Sequence, residues 1–209
     1  MGPPAVASYP MPARAEVPSS AASWTIDPAR AALLVLDMQR HHLGRFPTDD
    51  APTEQLVGNV SALRELAGVL AIPIVFGVEQ AVRQPDQRGV LGDLWGPGIT
   101  DAADAALIDT LTPRAGEHVV VHTRPNAFLG SQLERTLRGY GRDQLIVCGL
   151  FAGLGVLLTS ADAVMQGIQP FVVADAVADL SAEEHTGALR WMAVHSAVVT
   201  RTEQLLHAG

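Results

Sequence analysis

The chain has 209 residues, 48% of them hydrophobic and 17% charged, with a mean hydropathy of +0.20, which is one domain's length and too much apolar material for a disordered segment. Its 14 basic side chains are all arginines against 22 acidic ones, a net charge of −8 that argues against nucleic-acid and membrane-surface binding; the missing lysine excludes Schiff-base, lysine general-base and P-loop chemistry. A single cysteine, Cys148, rules out an internal disulfide or a cysteine-based zinc site and, with no signal-peptide or spanning run, predicts a cytoplasmic protein.

Met1 to Ser23 is rich in Pro, Ala and Ser and reads, through residue 25, as an arm packing on a domain over 26–209. Beyond it, short apolar runs alternate with helical stretches, and runs that are apolar throughout suit strands buried on both faces. The first strand is predicted over Ala31 to Leu36, followed by a helix over Glu54 to Leu70 with Leu56, Val60, Leu63, Ala67 and Leu70 at helical spacing. A second strand, Pro73 to Val78, enters Glu79 to Gly98, where Pro85, Gly89, Gly92, Gly96, Pro97 and Gly98 surround Trp95. A loop of this length reads as a pocket wall or lid, with an interface contact as the alternative. Strands follow at His118 to His122, Gln144 to Cys148, Pro170 to Ala174 and Ala197 to Thr200, with helices at Ser131 to Leu137, Val156 to Met165 and Ala182 to His195. This alternation predicts one α/β domain, a six-stranded parallel sheet with helices on both faces in a Rossmann-like three-layer arrangement. In such sheets the ligand lies beyond the carboxyl ends of the strands, so strand-end residues are the candidates.

The first strand stops at Asp37, which reads either as a cap for the next helix or as a general acid or base. His41 and His42 invite a metal, but adjacent positions rarely face one ion and no third ligand is evident, so none is expected. The third strand ends on His122, Thr123 and Arg124; His122 would lie beside Asp37 if strands one and three were neighbours, and Arg124 would orient an anionic substrate or close a structural ion pair. The fourth strand runs through Cys148 into Gly149-Leu150-Phe151-Ala152-Gly153-Leu154-Gly155, small residues that allow close approach of a ligand to backbone without forming a GxGxxG fingerprint. Cys148, inside the strand, reads as packing, and neither Ser131 nor Ser160 has a nucleophile elbow around it.

Taken together, these stretches resemble the isochorismatase-like family of hydrolases, and within it the phenazine-pathway type. The resemblance is carried by Tyr9-Pro10-Met11-Pro12 with Trp24, Asp37-Met38-Gln39, Gln87-Arg88-Gly89, Leu94-Trp95-Gly96-Pro97-Gly98, Arg124 with Ala127-Phe128, Gly141-Arg142-Asp143-Gln144-Leu145, and Ala174-Asp175-Ala176. It implies a non-proline cis peptide at Leu150-Phe151, a homodimer or higher homo-oligomer, and no cofactor. Many members are cysteine hydrolases; the position of their nucleophile is Gly155, as in the branch that cleaves an enolpyruvyl ether without covalent catalysis. There the residue matching Asp37 protonates the methylene carbon of the substrate, water captures the resulting oxocarbenium ion, and the hemiketal collapses to pyruvate and a dihydro-hydroxybenzoate-type alcohol. This requires a carboxyl that keeps its proton near neutral pH, in an apolar site or beside a second carboxylate such as Glu79. By the same match Arg88 would grip a substrate carboxylate and Trp95 would wall the ring.

The resemblance also exposes departures. His122 stands where the family has lysine, Glu79 and Phe151 where the branch has glutamine and tyrosine, and Gly153 where histidine is usual. A titrating ring beside Asp37 makes activity depend on pH between about 5 and 8. Phe151 lacks a hydrogen-bond donor, and Glu79 can repel a substrate carboxylate. The leading expectation is a hydrolase releasing pyruvate from isochorismate or 2-amino-2-deoxyisochorismate in secondary metabolism. The alternatives are a related biosynthetic reaction on another substrate through Asp37, His122 and Glu79, or a non-catalytic homologue. The chain is not expected to carry a carrier-protein domain.

Overall fold

The computed structural model describes residues 5–82 and 88–206. Met1, Pro85 and Gln87, named above, lie outside the described residues. Six parallel strands, β1 (Ala31–Leu36), β2 (Ile74–Glu79), β3 (His118–His122), β4 (Gln144–Leu150), β5 (Gln169–Ala178) and β6 (Val198–Thr200), form one sheet in the order β3-β2-β1-β4-β5-β6. The α/β reading holds, and β1 and β3 cover the residues expected. The central strands β4 and β5 run beyond Cys148 and Ala174, because the apolar sequence continues and helices cover both faces: every residue of β4 is buried. Strand order reverses between β1 and β4, which places the crevice of an open α/β sheet at the carboxyl ends of those two strands.

Alternation along β1 divides the core. Ala31, Leu33 and Val35 face α2 (Thr53–Val69), whose Leu56, Val60, Leu63 and Ala67 form the predicted apolar stripe, together with Leu205 of α7 (Thr202–Leu206). Ala32, Leu34 and Leu36 face the opposite layer, built from Leu133 and Leu137 of α4 (Leu133–Gly139), Ala163 of α5 (Leu157–Met165) and Ala188, Leu189, Met192 and Ala193 of α6 (Ala182–His195). Ser181 opens α6 by accepting a hydrogen bond from Glu184 N. Among the described residues no helix is long and apolar enough to cross a membrane.

Two expectations are corrected. The glycine-rich stretch before Gly98 contains a helix, α3 (Val90–Trp95), between Gly89 and Gly96, both at positive φ. Its Val90 and Leu94 are 74% and 71% exposed, so it has no buried stripe to reveal it in sequence. Strands one and three are not neighbours, because β2 lies between them. The short α1 (Arg40–Leu43) and α7 were also not anticipated, being under two turns each.

The arm packs on the α2 layer. Val6, Tyr9 and Met11 are buried there, and Ser8 Oγ donates to Asp50. Tyr9 Oη donates to Asp179 O at 3.0 Å and accepts from Asp179 N at 2.8 Å, closing a contact across 170 positions of sequence. Removing that hydroxyl orphans both backbone groups. Tyr9→Phe is therefore expected to destabilise the fold by about 1–3 kcal/mol, read as a lower urea midpoint with an unchanged slope.

Candidate active site

β1 is buried to its last residue, and the chain then turns at Asp37, whose φ of 51° lies in the left-handed region that side chains other than glycine, Asn and Asp rarely adopt. Asp37 N donates to Gly77 O at 2.9 Å and holds the turn against β2. The side chain does not cap a helix: the residue before α1 is Gln39, with no side-chain cap bond, and the Asp37 carboxylate turns into the sheet's edge, where the residue is only 6% exposed.

It meets His122 there. The two belong to strands separated by β2, and the gap is bridged across Gly77: a Cβ at that position would lie 3.8 Å from His122 Cδ2 and 2.7 Å from Leu36 Cδ2. His122 Nε2 lies 3.0 Å from Asp37 Oδ1, and Nδ1 lies 2.7 Å from Arg124 O. A carbonyl only accepts, so Nδ1 carries a hydrogen and donates it. The tautomer is thereby assigned, and Nε2 and Oδ1 share whatever second proton the pair holds. Burial works against a charged ring, but the hydrogen bond and charge of Asp37, the Arg124 carbonyl and the charge of Glu79 outweigh it and hold the His122 imidazole above its ordinary value.

Glu79 is the ladder partner of His122. Its backbone is clasped by the buried Gln39 amide, Oε1 accepting from Glu79 N at 2.8 Å and Nε2 donating to Glu79 O at 3.0 Å and to Ala105 O at 2.8 Å. Its carboxylate pairs with Arg88 Nη2 at 2.7 Å and stands 3.2 Å from His42 Nε2, off the angle of an aligned hydrogen bond. Burial raises this carboxyl, while His42, Arg88 and His122 lower it by more, so Glu79 is held below the usual carboxylate range. That corrects one expectation: Glu79 is an ion-paired carboxylate rather than a second acid helping Asp37 to keep its proton. Arg88, expected to grip a substrate carboxylate, donates here to Glu79 and to Gly96 O at 3.0 Å. Arg88 thereby ties the turn after α3 to the end of β2. Trp95 closes α3, 37% exposed. The Arg124 guanidinium, exposed, donates to its neighbour's carbonyl, Thr123 O, so what Arg124 brings to the cluster is its main-chain oxygen.

The wall opposite β2 comes from β4. The Leu150-Phe151 peptide is cis, as the resemblance implies, and a π-helical turn over Ala152–Val156 carries the chain into α5. At Gly155 a Cβ would lie 3.5 Å from Asp37 Oδ2 and 3.1 Å from Leu150 O, so the second carboxylate oxygen faces this backbone. Phe151 meets His42 edge-on at 5.6 Å, stacks with Phe46 at 5.9 Å and lies under the Arg45 guanidinium at 5.3 Å. Cys148 is fully buried in β4, where burial pushes its thiol up, away from a nucleophile's range. Gln39, Arg45, Phe46 and Gly77 were not singled out for a site, and His42 was weighed only as a metal ligand. Four of these five follow Asp37 within nine positions, and Gly77 was legible only as a glycine inside a strand, a signal of close approach.

Comparison with known proteins identifies relatives along the whole chain. Residues 31–204 match the model described as "Isochorismatase domain". The chain is 40% identical to the phenazine biosynthesis protein PhzD of Pseudomonas fluorescens, over 98% of this chain and 99% of that one. It is 37% identical to enterobactin synthase component B of Escherichia coli K12, over 98% of this chain and 72% of the relative. Among solved structures, a cysteine hydrolase from Pseudomonas syringae pv. phaseolicola superposes with a TM-score of 0.78 at 22% identity, covering 91% of this chain and 96% of that one, and shows the shared fold.

Proposed function

Since the chain belongs to the isochorismatase family and is a hydrolase of that family, we propose that it cleaves the enolpyruvyl ether of isochorismate or of its 2-amino-2-deoxy analogue. The observation that carries this reading is the Asp37–His122 pair, a carboxyl and an imidazole 3.0 Å apart and so placed to share one proton beside the Gly155 backbone. Asp37 passes that proton to the methylene carbon of the ether; the C=C electron pair forms the new C–H bond and leaves positive charge on the carbon bearing the ether oxygen. Water adds to this carbon and its proton returns to the pair. The hemiketal then collapses: its hydroxyl oxygen becomes the C=O of pyruvate as the bond to the ring oxygen breaks, the ring oxygen takes the pair's proton, and the hydroxyl's proton replaces it on the pair, giving pyruvate, the ring alcohol and the starting form of the site. The anion of the pair, desolvated at the sheet edge, is placed to stabilise the oxocarbenium ion.

Release of pyruvate from either ether across pH 5 to 10 tests this directly, and no release from either overturns it. The pH profile has a required sign. The active form holds the pair's proton, and His122 is raised above its ordinary value of about 6.5. Activity is therefore expected to be retained through neutral pH and to fall as pH rises through the raised value. His122→Lys, a cation that keeps its charge to about pH 10, is expected to move that alkaline limb upward. An alkaline limb unchanged in His122→Lys sinks the assignment.

One observation favours a second reading in which the same chemistry acts on a related vinyl ether. The Glu79–Arg88 pair removes a free cation from the site, which suits a substrate with less negative charge than one carrying two carboxylates. Rates of ether cleavage on isochorismate and on a vinyl ether carrying one carboxylate fewer separate the two, the second reading requiring the faster rate on the latter.

A further inference from the structure

Near Phe151 a second guanidinium is held with two of its nitrogens unpartnered among the described residues. Arg45 leaves α1 through Gly44 and is fixed by its backbone, Arg45 N donating to His42 O at 3.3 Å and Arg45 O accepting from Val6 N at 2.8 Å. Its guanidinium lies 5.3 Å from the centre of the Phe151 ring, and Nε and Nη2 are buried with no hydrogen-bond partner among the described residues. The carboxylate whose charge reaches it, Asp179, is engaged elsewhere: its oxygens accept from Gly153 N and Leu180 N. Buried donors without partners are rare, and charged ones most of all, so a group of this kind calls for an acceptor outside the described residues, the part a bound ligand can fill. Phe151 also touches His42, the ring that stands on Glu79, so two aromatic rings link Arg45 to the cluster of Glu79, His122 and Asp37. Arg88, which the resemblance gives the part of carboxylate grip, is paired with Glu79.

We propose that Arg45 is a substrate-binding residue whose guanidinium takes a carboxylate of the substrate, the part for which Arg88 is not free. This rests on the proposed function only in taking the substrate to be a carboxylate. A planar fork with two unpaired donors suits a carboxylate better than a neutral amide, and Phe151, with no hydroxyl of its own, offers it a face to rest on.

The test is calorimetric titration of 3-hydroxybenzoate and 3-hydroxybenzamide into the full chain. The wild type is expected to prefer the acid, and Arg45→Gln to weaken acid binding about 10- to 100-fold while leaving the amide within about threefold, which also reports that the variant is folded. Arg45→Lys is expected to recover part of the preference. A preference absent from the wild type, unchanged in Arg45→Gln, or lost in Arg88→Gln instead overturns the proposal. Asp37→Asn is expected to keep the preference. A chain that prefers the acid through Arg45 yet releases no pyruvate leaves this role standing while overturning the reaction, so the two failures are distinguishable.

Discussion

Asp37→Asn is expected to lower pyruvate release by about 10²- to 10⁴-fold, the usual contribution of a positioned general acid, with little change in melting temperature. The choice of Asn matters because of the backbone. Asp37 holds φ at 51°, and Asn is among the residues that tolerate this region, so the substitution removes the transferable proton and keeps the turn. An alanine would confound lost chemistry with lost geometry. The amide also still faces His122 Nε2, so His122 keeps a neighbour and its Nδ1 bond to Arg124 O. Residual turnover within about tenfold of wild type would show that Asp37 is not the acid. Loss of turnover together with loss of 3-hydroxybenzamide binding would show that the substitution damages the pocket rather than the proton transfer.

The elements that sequence made legible are those whose cause is local. Ala31 to Leu36 is an apolar run buried on both faces, and Glu54 to Leu70 carries one stripe at helical spacing; both stand nearly where expected. Helix α3 was hidden because its apolar side chains are exposed and Gly92 interrupts it, so it has neither stripe nor propensity to announce it. The order of the strands is a long-range property, and β2 between β1 and β3 could not be read from the runs themselves.

The site divides in the same way. Asp37, Glu79 and His122 were found because each is a polar residue ending an apolar strand, which is a local pattern. What they do to one another depends on side chains crossing between elements. Glu79 reads as a free second carboxylate until Arg88 and His42 are seen on its two oxygens. His122 reaches Asp37 across Gly77 of the intervening strand, where a Cβ would crowd Leu36 Cδ2 at 2.7 Å and only touch His122 Cδ2 at 3.8 Å. Arg45 carried no sequence signal, since an arginine after a glycine in a short turn is ordinarily a solvated surface residue.

Gly149→Ala is expected to destabilise the protein by more than about 4 kcal/mol, enough to remove much of the 5–15 kcal/mol that holds a domain folded. A Cβ at Gly149 would lie 2.0 Å from Leu36 O and 2.7 Å from Leu36 N, contacts between two backbones in the middle of the sheet, where neither can move aside without breaking the β1–β4 ladder. The residue also sits at φ 108°, which by itself penalises alanine. The two contributions separate with Gly167→Ala, whose φ of 77° carries a similar penalty but whose Cβ would meet nothing within 4 Å; that variant is expected to cost only about 1–2 kcal/mol. Urea unfolding of both proteins gives the difference, and Gly149→Ala no less stable than Gly167→Ala would refute the tight approach of β4 to β1. The approach matters for function because Leu36 is the residue before Asp37. Any backbone shift that accommodates a methyl group at Gly149 is transmitted directly to the carboxyl at the strand end. A rare Gly149→Ala molecule that stays folded is therefore expected to lose turnover in proportion to the displaced Asp37–His122 contact, although the substituted residue touches no reacting atom.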